Sequence, residues 1–190
     1  MNISEQHIDL FPLAELKGKE HPQPIRQLCG LYHAAFVREE QRPWGMLLSP
    51  SKKPSSFRPM AIYHGDELAG LCSYWELPSG WLFVEHIAIF ARHRNRGLGS
   101  LLLSKLRSLG ELILEIEPPT LSSQARRRLE FYQRNGFKTI DKYYQQPPYR
   151  EGDAPTPLWL LSTEAIDPEY IKQDLYSLVY GLAPDRQKQA

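Results

Sequence analysis

The stretch Arg94-Asn95-Arg96-Gly97-Leu98-Gly99-Ser100 constrains this chain more than any other. It lies between a strand-like run, Ile87-Ala88-Ile89-Phe90, and a helix-like run, Leu101-Leu102-Leu103. The first turn of a helix carries backbone N–H groups without internal partners and the positive end of the macrodipole, so an anion placed there meets donors already pointing at it. Gly97 and Gly99 allow the backbone to come close to a phosphate. Arg94 and Arg96 add positive charge.

Two familiar phosphate loops do not fit. A dinucleotide fingerprint needs a third glycine three residues after Gly99, where Leu102 stands, and a Walker loop needs a longer spacing followed by Lys-Ser or Lys-Thr, where Ser100-Leu101 stands. Arg or Gln, two residues, Gly, one residue, then Gly or Ala is the pattern present. It resembles the pyrophosphate-binding motif of the GNAT acetyltransferase superfamily, where the motif holds acetyl-CoA. The preceding strand-like run Val84-Glu85-His86-Ile87-Ala88-Ile89 is similar to that family's strand, and Phe131-Tyr132-Gln133-Arg134-Asn135-Gly136-Phe137 resembles its second signature, an aromatic pair at a helix end followed by Gly-Phe.

The resemblance implies a mixed α/β fold: a central, mostly antiparallel sheet of about six or seven strands, splayed at the cofactor site and flanked by helices on both faces. It implies an N-acetyltransferase that moves an acetyl group from acetyl-CoA to a primary amine by direct attack in a ternary complex. Arg94, Asn95, Arg96, Gly97, Leu98, Gly99 and Ser100 would meet the pyrophosphate, and backbone groups of Ile87, Ala88 and Ile89 the rest of the coenzyme. No metal enters this scheme. The contrasting reading is a catalytically silent domain that binds CoA or an acyl-CoA as a sensor or complex subunit.

Acetyl transfer to an amine requires removal of the amine proton and favours protonation of the departing thiolate. Glu85, a carboxylate on a largely apolar strand, is the candidate base, because such a group is costly to bury unless it is functional or paired. His86 is its rival, and a water relay is a third route. Neighbouring residues on a regular strand face opposite sides, so at most one of the two is expected to view the substrate, unless a bulge, which the resemblance implies is common near the cofactor, changes the parity. Tyr132 is the candidate general acid, by resemblance to the family's tyrosine beside the coenzyme sulfur. The family often has an asparagine before that tyrosine; Ala125 and Arg128 stand there instead, so no asparagine contact is assigned. Glu115 and Glu117 share a strand face and are expected to meet solvent or the Arg126-Arg127-Arg128 run.

With 190 residues the chain is read as one acetyltransferase domain, 1–190, with a C-terminal helical extension over 163–190. No apolar run approaches the ~20 residues of a membrane span. A basic segment followed by an apolar stretch is absent from the N-terminus, which points to the cytoplasm. Cys29 and Cys72 lack metal or disulfide spacing and read as reduced core residues. A net charge of +1 argues against a nucleic-acid partner, so the expected partner is a small-molecule or peptide amine, and a homodimer is compatible with it.

Periodicity gives a helix over Pro24 to Phe36, a short helix and loop from Val37 to Ser56, and a hairpin of Phe57–Tyr63 with Leu68–Glu76. A strand follows from Trp81 to Phe90, then a helix from Leu98 to Leu109 and a strand from Glu111 to Glu117, a βαβ crossover that favours parallel pairing of the two strands. A helix over Ser123 to Asn135 precedes strands Lys138–Tyr144 and Leu158–Ser162, joined by a long proline-rich loop. Asp167-Pro168 opens the last helix. Acceptor selection is expected in Phe36 to Trp44 and Tyr143 to Tyr149, which carry Glu39, Glu40, Trp44, Tyr144 and Tyr149.

Overall fold

The computed structural model describes residues 7–17, 22–49 and 56–182. Among the described residues it is a mixed α/β chain with seven strands, mostly antiparallel in their pairing, and five α-helices. The described residues divide into two compact units, the first containing residues up to Trp75 and Val84–Leu109, the second Glu76–Phe83 and the residues from Gly110 onward. Positions 50–55 of the loop expected before Ser56, and 183–190 of the C-terminal extension, lie outside the described residues.

In the first unit β1 (Ile8–Pro12), β2 (Phe57–His64) and β3 (Glu67–Glu76) pair antiparallel in order. β2 and β3 meet at a two-residue turn whose Gly65 has φ +59°, the conformation a tight hairpin demands. β4 (Leu82–Ile89) follows β3, and the Phe90 amide donates to the Ala69 carbonyl at 2.9 Å. At Gly70 the two backbones come so close that a Cβ would sit 2.1 Å from the Ala88 carbonyl oxygen. β1 has no counterpart among the expected strands: at five residues, with Ile8 alone buried, it is too short to show a period.

Helix α1 (Pro22–Ala35) buries Leu28, Leu31 and Tyr32, and α3 (Leu98–Arg107) buries Leu98, Leu102, Leu103 and Leu106, the spacing of one helical face. Lys105 Nζ donates to the Ile8 carbonyl at 2.7 Å, tying α3 to β1. The Val37–Ser49 segment forms a 3-10 turn, Arg38–Glu40, and the short α2, Trp44–Leu48. Cys72 is fully buried, which pushes its thiol pKa up to about 12, whereas Cys29 is only half-buried.

The second unit pairs β5 (Leu112–Ile116) with β7 (Thr156–Ser162), and β7 with β6 (Lys138–Gln146), all antiparallel. Ser122 Oγ caps α4 (Ser123–Arg134) by accepting from the Ala125 amide, and Gly136, at φ +87°, lets the chain leave that helix. Asp167 caps α5 (Pro168–Asp174), which runs on into a π-helical turn, Leu175–Val179. Among the described residues no helix is long and apolar enough to cross a membrane, and no group of three or more His, Cys, Asp or Glu side chains is placed to hold a metal.

Candidate functional site

The glycine turn begins after a 3-10 turn, Ala91–His93. Asn95 adopts φ +61° and Gly97 φ +77°, so the chain reverses twice through left-handed backbone before α3 starts. Gly97 is the N-cap of α3 and offers no side-chain oxygen to the helix amides; the first internal bond runs from the Leu101 amide to the Gly97 carbonyl at 3.1 Å. The starts of α4 and α5, by contrast, are closed by Ser122 and Asp167. The amides of Gly97, Leu98, Gly99 and Ser100 therefore face outward at the positive end of α3.

Leu98 is buried, so it offers only its backbone. Arg94 is exposed and its Nε donates to the Ile89 carbonyl at 3.0 Å, which anchors the turn to the end of β4. Arg96 is exposed. Arg92 belongs to the hairpin instead: its guanidinium donates to the Leu68 carbonyl and lies 4.5 Å from the Phe90 ring centre. The Ala88 carbonyl faces β3 at Gly70, and strand alternation turns the backbone groups of Ile87 and Ile89 the opposite way. The Ala88 carbonyl oxygen thus lies close against Gly70, and the Ile89 carbonyl is the one Arg94 holds.

Glu85 sits in a buried polar cluster of the same unit. Its side chain is 2% exposed and that of Arg42 is 8%, with Arg42 Nε donating to Glu85 Oε1 at 2.7 Å. The Arg42 guanidinium also lies over the rings of Trp75, 4.9 Å, and Phe57, 5.8 Å. Ser73 Oγ is 2.8 Å from His86 Nδ1 and 3.4 Å from Glu85 Oε2. His86 Nε2 is 2.8 Å from the Glu40 carbonyl, which can only accept, so this nitrogen carries a proton. The Tyr32 hydroxyl accepts from the Arg42 amide at 2.8 Å. Phe36 and Tyr32 pack edge-on against the His86 ring, and Trp44 lies beside Tyr32.

This arrangement changes one expectation and bears on a second. Glu85 and His86 do not part to opposite sides: His86 Nδ1 is 3.3 Å from Glu85 Oε2 and both side chains reach Ser73. Burial would raise the Glu85 pKa, but the Arg42 guanidinium, and after it His86, outweigh burial and bring it down to about 2. A carboxylate held so firmly as an anion is a poor acceptor for an amine proton at neutral pH. Arg42, Ser73 and Tyr32 were not legible as members of this cluster; the one signal available was that a carboxylate on an apolar strand needs a cation somewhere.

Tyr132, in the second unit, is half-buried, its ring edge-on to Phe131 and Phe137 at 5.2 and 5.4 Å. The Gly-Phe that follows is explained by helix termination: the Phe137 amide donates to the Tyr132 carbonyl and the Gly136 amide to the Gln133 carbonyl. Burial raises the phenol pKa above its ordinary value, opposed by Arg128 and reinforced by Glu117. Glu117 pairs with Arg128, as the arginine run suggested. Glu115 instead receives the Tyr180 hydroxyl.

An acetyltransferase (GNAT) domain model matches residues 57–139. No curated protein matches the sequence. A solved structure of a putative GNAT-family acetyltransferase from Bacteroides thetaiotaomicron is 30% identical, covers 93% of this chain and 99% of its own, and superposes with a TM-score of 0.79. A Bacillus subtilis acetyltransferase in complex with CoA shares the fold at 16% identity, with a TM-score of 0.52 over 85% of this chain and 100% of its own. A spermidine N-acetyltransferase variant from Vibrio cholerae does so at 12% identity, with a TM-score of 0.56 over 84% and 93%. Near-complete coverage by a relative at 30% identity, on a fold that presents the glycine turn at the start of α3, places the chain in the GNAT family of acetyltransferases.

Proposed function

We propose that this protein transfers an acetyl group from acetyl-CoA to a primary amine in a ternary complex. The observation that carries this reading is the start of α3, where the four backbone amides from the left-handed Gly97 to Ser100 have no side chain to cap them. Diphosphate oxygens fit such a place because they need several donors at once and favour the positive helix end. Arg94 supports the turn through Ile89 and leaves its remaining guanidinium donors for the same anion.

Acetyl-CoA, when bound, supplies the activated acyl group. Backbone groups of Ile87, Ala88 and Ile89, at the end of β4, are suited to orient its amide-bearing arm. Glu85 acts as a fixed negative charge that favours the cationic amine and a proton-accepting water, rather than as the group that keeps the proton. Ser73 bridges Glu85 to His86, and the Glu40 carbonyl holds the other nitrogen, so the imidazole cannot rotate. Tyr132, kept protonated by its raised pKa, is the donor to the leaving thiolate.

The neutralisation of Glu85 by Arg42 is the one observation that favours a silent acyl-CoA-binding domain instead. Acetyl-CoA turnover against an amine panel separates the two, with Glu85→Gln and Tyr132→Phe run beside wild type. Amine-dependent turnover lowered by both substitutions supports the transferase. Binding of CoA with no turnover on any acceptor supports the silent domain.

A further inference from the structure

Next to Glu85, the side chains of Ser73 on β3 and His86 on β4 form a short chain of exchangeable hydrogens. Both residues are buried, at 0% and 2% exposure. Arg42 donates to Glu85 Oε1, whereas Ser73 and His86 meet Oε2, Ser73 Oγ at 3.4 Å and His86 Nδ1 at 3.3 Å. A 2.8 Å contact joins Ser73 Oγ to His86 Nδ1. At the other nitrogen the Glu40 carbonyl, 2.8 Å from Nε2, holds the one proton that a neutral imidazole carries. Nδ1 is then a lone-pair acceptor, and the Ser73 hydroxyl donates to it.

The same hydroxyl has a second direction. When Nδ1 takes up a proton it becomes a donor, Ser73 Oγ receives it, and the serine's own hydrogen turns to Glu85 Oε2. The ring stays in place during this exchange, because Tyr32 and Phe36 pack edge-on against it and Glu40 holds Nε2. Facing His86 are Glu85 from β4, with Arg42 paired to it, and the Tyr32 phenol from α1, 3.4 Å from Nε2. An imidazolium here is favoured by the carboxylate 3.3 Å away and opposed by the guanidinium on that carboxylate's other oxygen. Imidazole is the side chain suited to take and return a proton near neutral pH. Glu85, held as an anion by Arg42, is not.

We infer that a proton delivered to Glu85 comes to rest on His86 Nδ1, with the Ser73 hydroxyl as its relay. The Oε2–H bond breaks as a new Ser73 O–H bond forms, while the serine's original O–H bond breaks and Nδ1–H forms. No electron changes hands, Glu85 is again an anion and His86 is an imidazolium. Reversal of the same steps returns the proton. Ser73 and His86 are positioning residues in this scheme, acting on a substrate only through Glu85. Identifying the proton as that of the acceptor amine rests on the acetyltransferase reading above; the relay itself does not.

The full chain, isotope-labelled in its histidine rings, is followed by NMR without acetyl-CoA. At neutral pH His86 Nε2 should carry the proton and Nδ1 should show the shift of a bare nitrogen that accepts a hydrogen bond. On acidification the added proton should appear at Nδ1. Ser73→Ala should move the Nδ1 signal toward that of an unbonded nitrogen and slow the exchange of its proton. The opposite tautomer, or an Nδ1 signal that Ser73→Ala leaves in place, overturns the relay. Where a substituted chain fails to fold, the wild-type tautomer and the site of the added proton decide. In a turning-over enzyme Ser73→Ala and His86→Gln should each lower kcat about 100-fold at neutral pH, and approach wild type at alkaline pH, where the amine loses its proton unaided. His86→Gln retains an amide for the Glu40 carbonyl, and KM for acetyl-CoA should not change. A loss of the same factor at every pH, or no loss, marks a structural role and overturns the relay. The expected NMR behaviour in a chain that acetylates no amine supports the relay and rejects only the acetyltransferase reading.

Discussion

Arg42 Nε donates to Glu85 Oε1 across 2.7 Å, and both side chains are almost wholly withdrawn from solvent. A buried pair of this kind is held by mutual need: removing one partner strands the other's charge, at a cost of about 3–5 kcal/mol. Arg42→Met should therefore destabilise the fold by that order in urea unfolding. The double substitution Arg42→Met with Glu85→Gln should recover a large part of it. Equal destabilisation of the single and double variants would count against the pair.

The same pair sets an acid limb. The Glu85 pKa is lowered from 4.5 to about 2 in the folded chain, so its contribution is complete above about 4.5 and is lost as pH falls through about 2. A shift of this size corresponds to something on the order of 3 kcal/mol at neutral pH. Unfolding measured between pH 6 and pH 2 should show stability falling in that window for wild type and a flatter limb for Glu85→Gln, about neutral pH being where the two differ most.

At Gly70 a methyl group would meet the Ala88 carbonyl oxygen, a backbone atom that cannot swing aside. Gly70→Ala should part β3 from β4 and destabilise by about 1–3 kcal/mol or more, measured by thermal or urea unfolding. Gly30→Ala, in a position where a Cβ meets nothing within 4 Å, is the matched control and should be neutral or stabilising.

Gly97→Val forces a branched side chain into φ +77°, which costs about 1–2 kcal/mol and obstructs the amides of α3. CoA affinity, measured by calorimetry, should fall about tenfold or more. Gly97→Asn, whose side chain tolerates left-handed backbone, should lose less stability. Unchanged CoA affinity in Gly97→Val would remove the turn from the binding site.

Tyr132→Phe keeps the ring between Phe131 and Phe137, so the fold and CoA affinity should survive. Loss of the proton donor should lower kcat by roughly 100- to 10,000-fold. Unaltered kcat would leave Tyr132 a packing residue.

The glycine turn was legible because it is a local demand: two glycines, a strand before and a helix after are contained in one short stretch. The hairpin at Gly65-Asp66 and the capped helix at Asp167-Pro168 were legible for the same reason. Arg42 was not, because its partner lies 43 residues away and its segment read as a short helix and loop whose Glu39 and Glu40 were expected to serve the acceptor. The approach of Glu85 to His86 was open only through a bulge, since strict strand alternation turns neighbouring side chains apart and spacing alone does not say which holds. Glu115 was expected at solvent or among arginines; the strand places it beside the C-terminal Tyr180, a tertiary neighbour that no spacing encodes.

The most direct measurement is release of free CoA thiol from acetyl-CoA on addition of primary amines to the purified full chain. Saturable, amine-dependent release that Tyr132→Phe suppresses is expected. Absence of amine-dependent release from a chain that also fails to bind CoA at millimolar concentration would contradict acetyl transfer at this site.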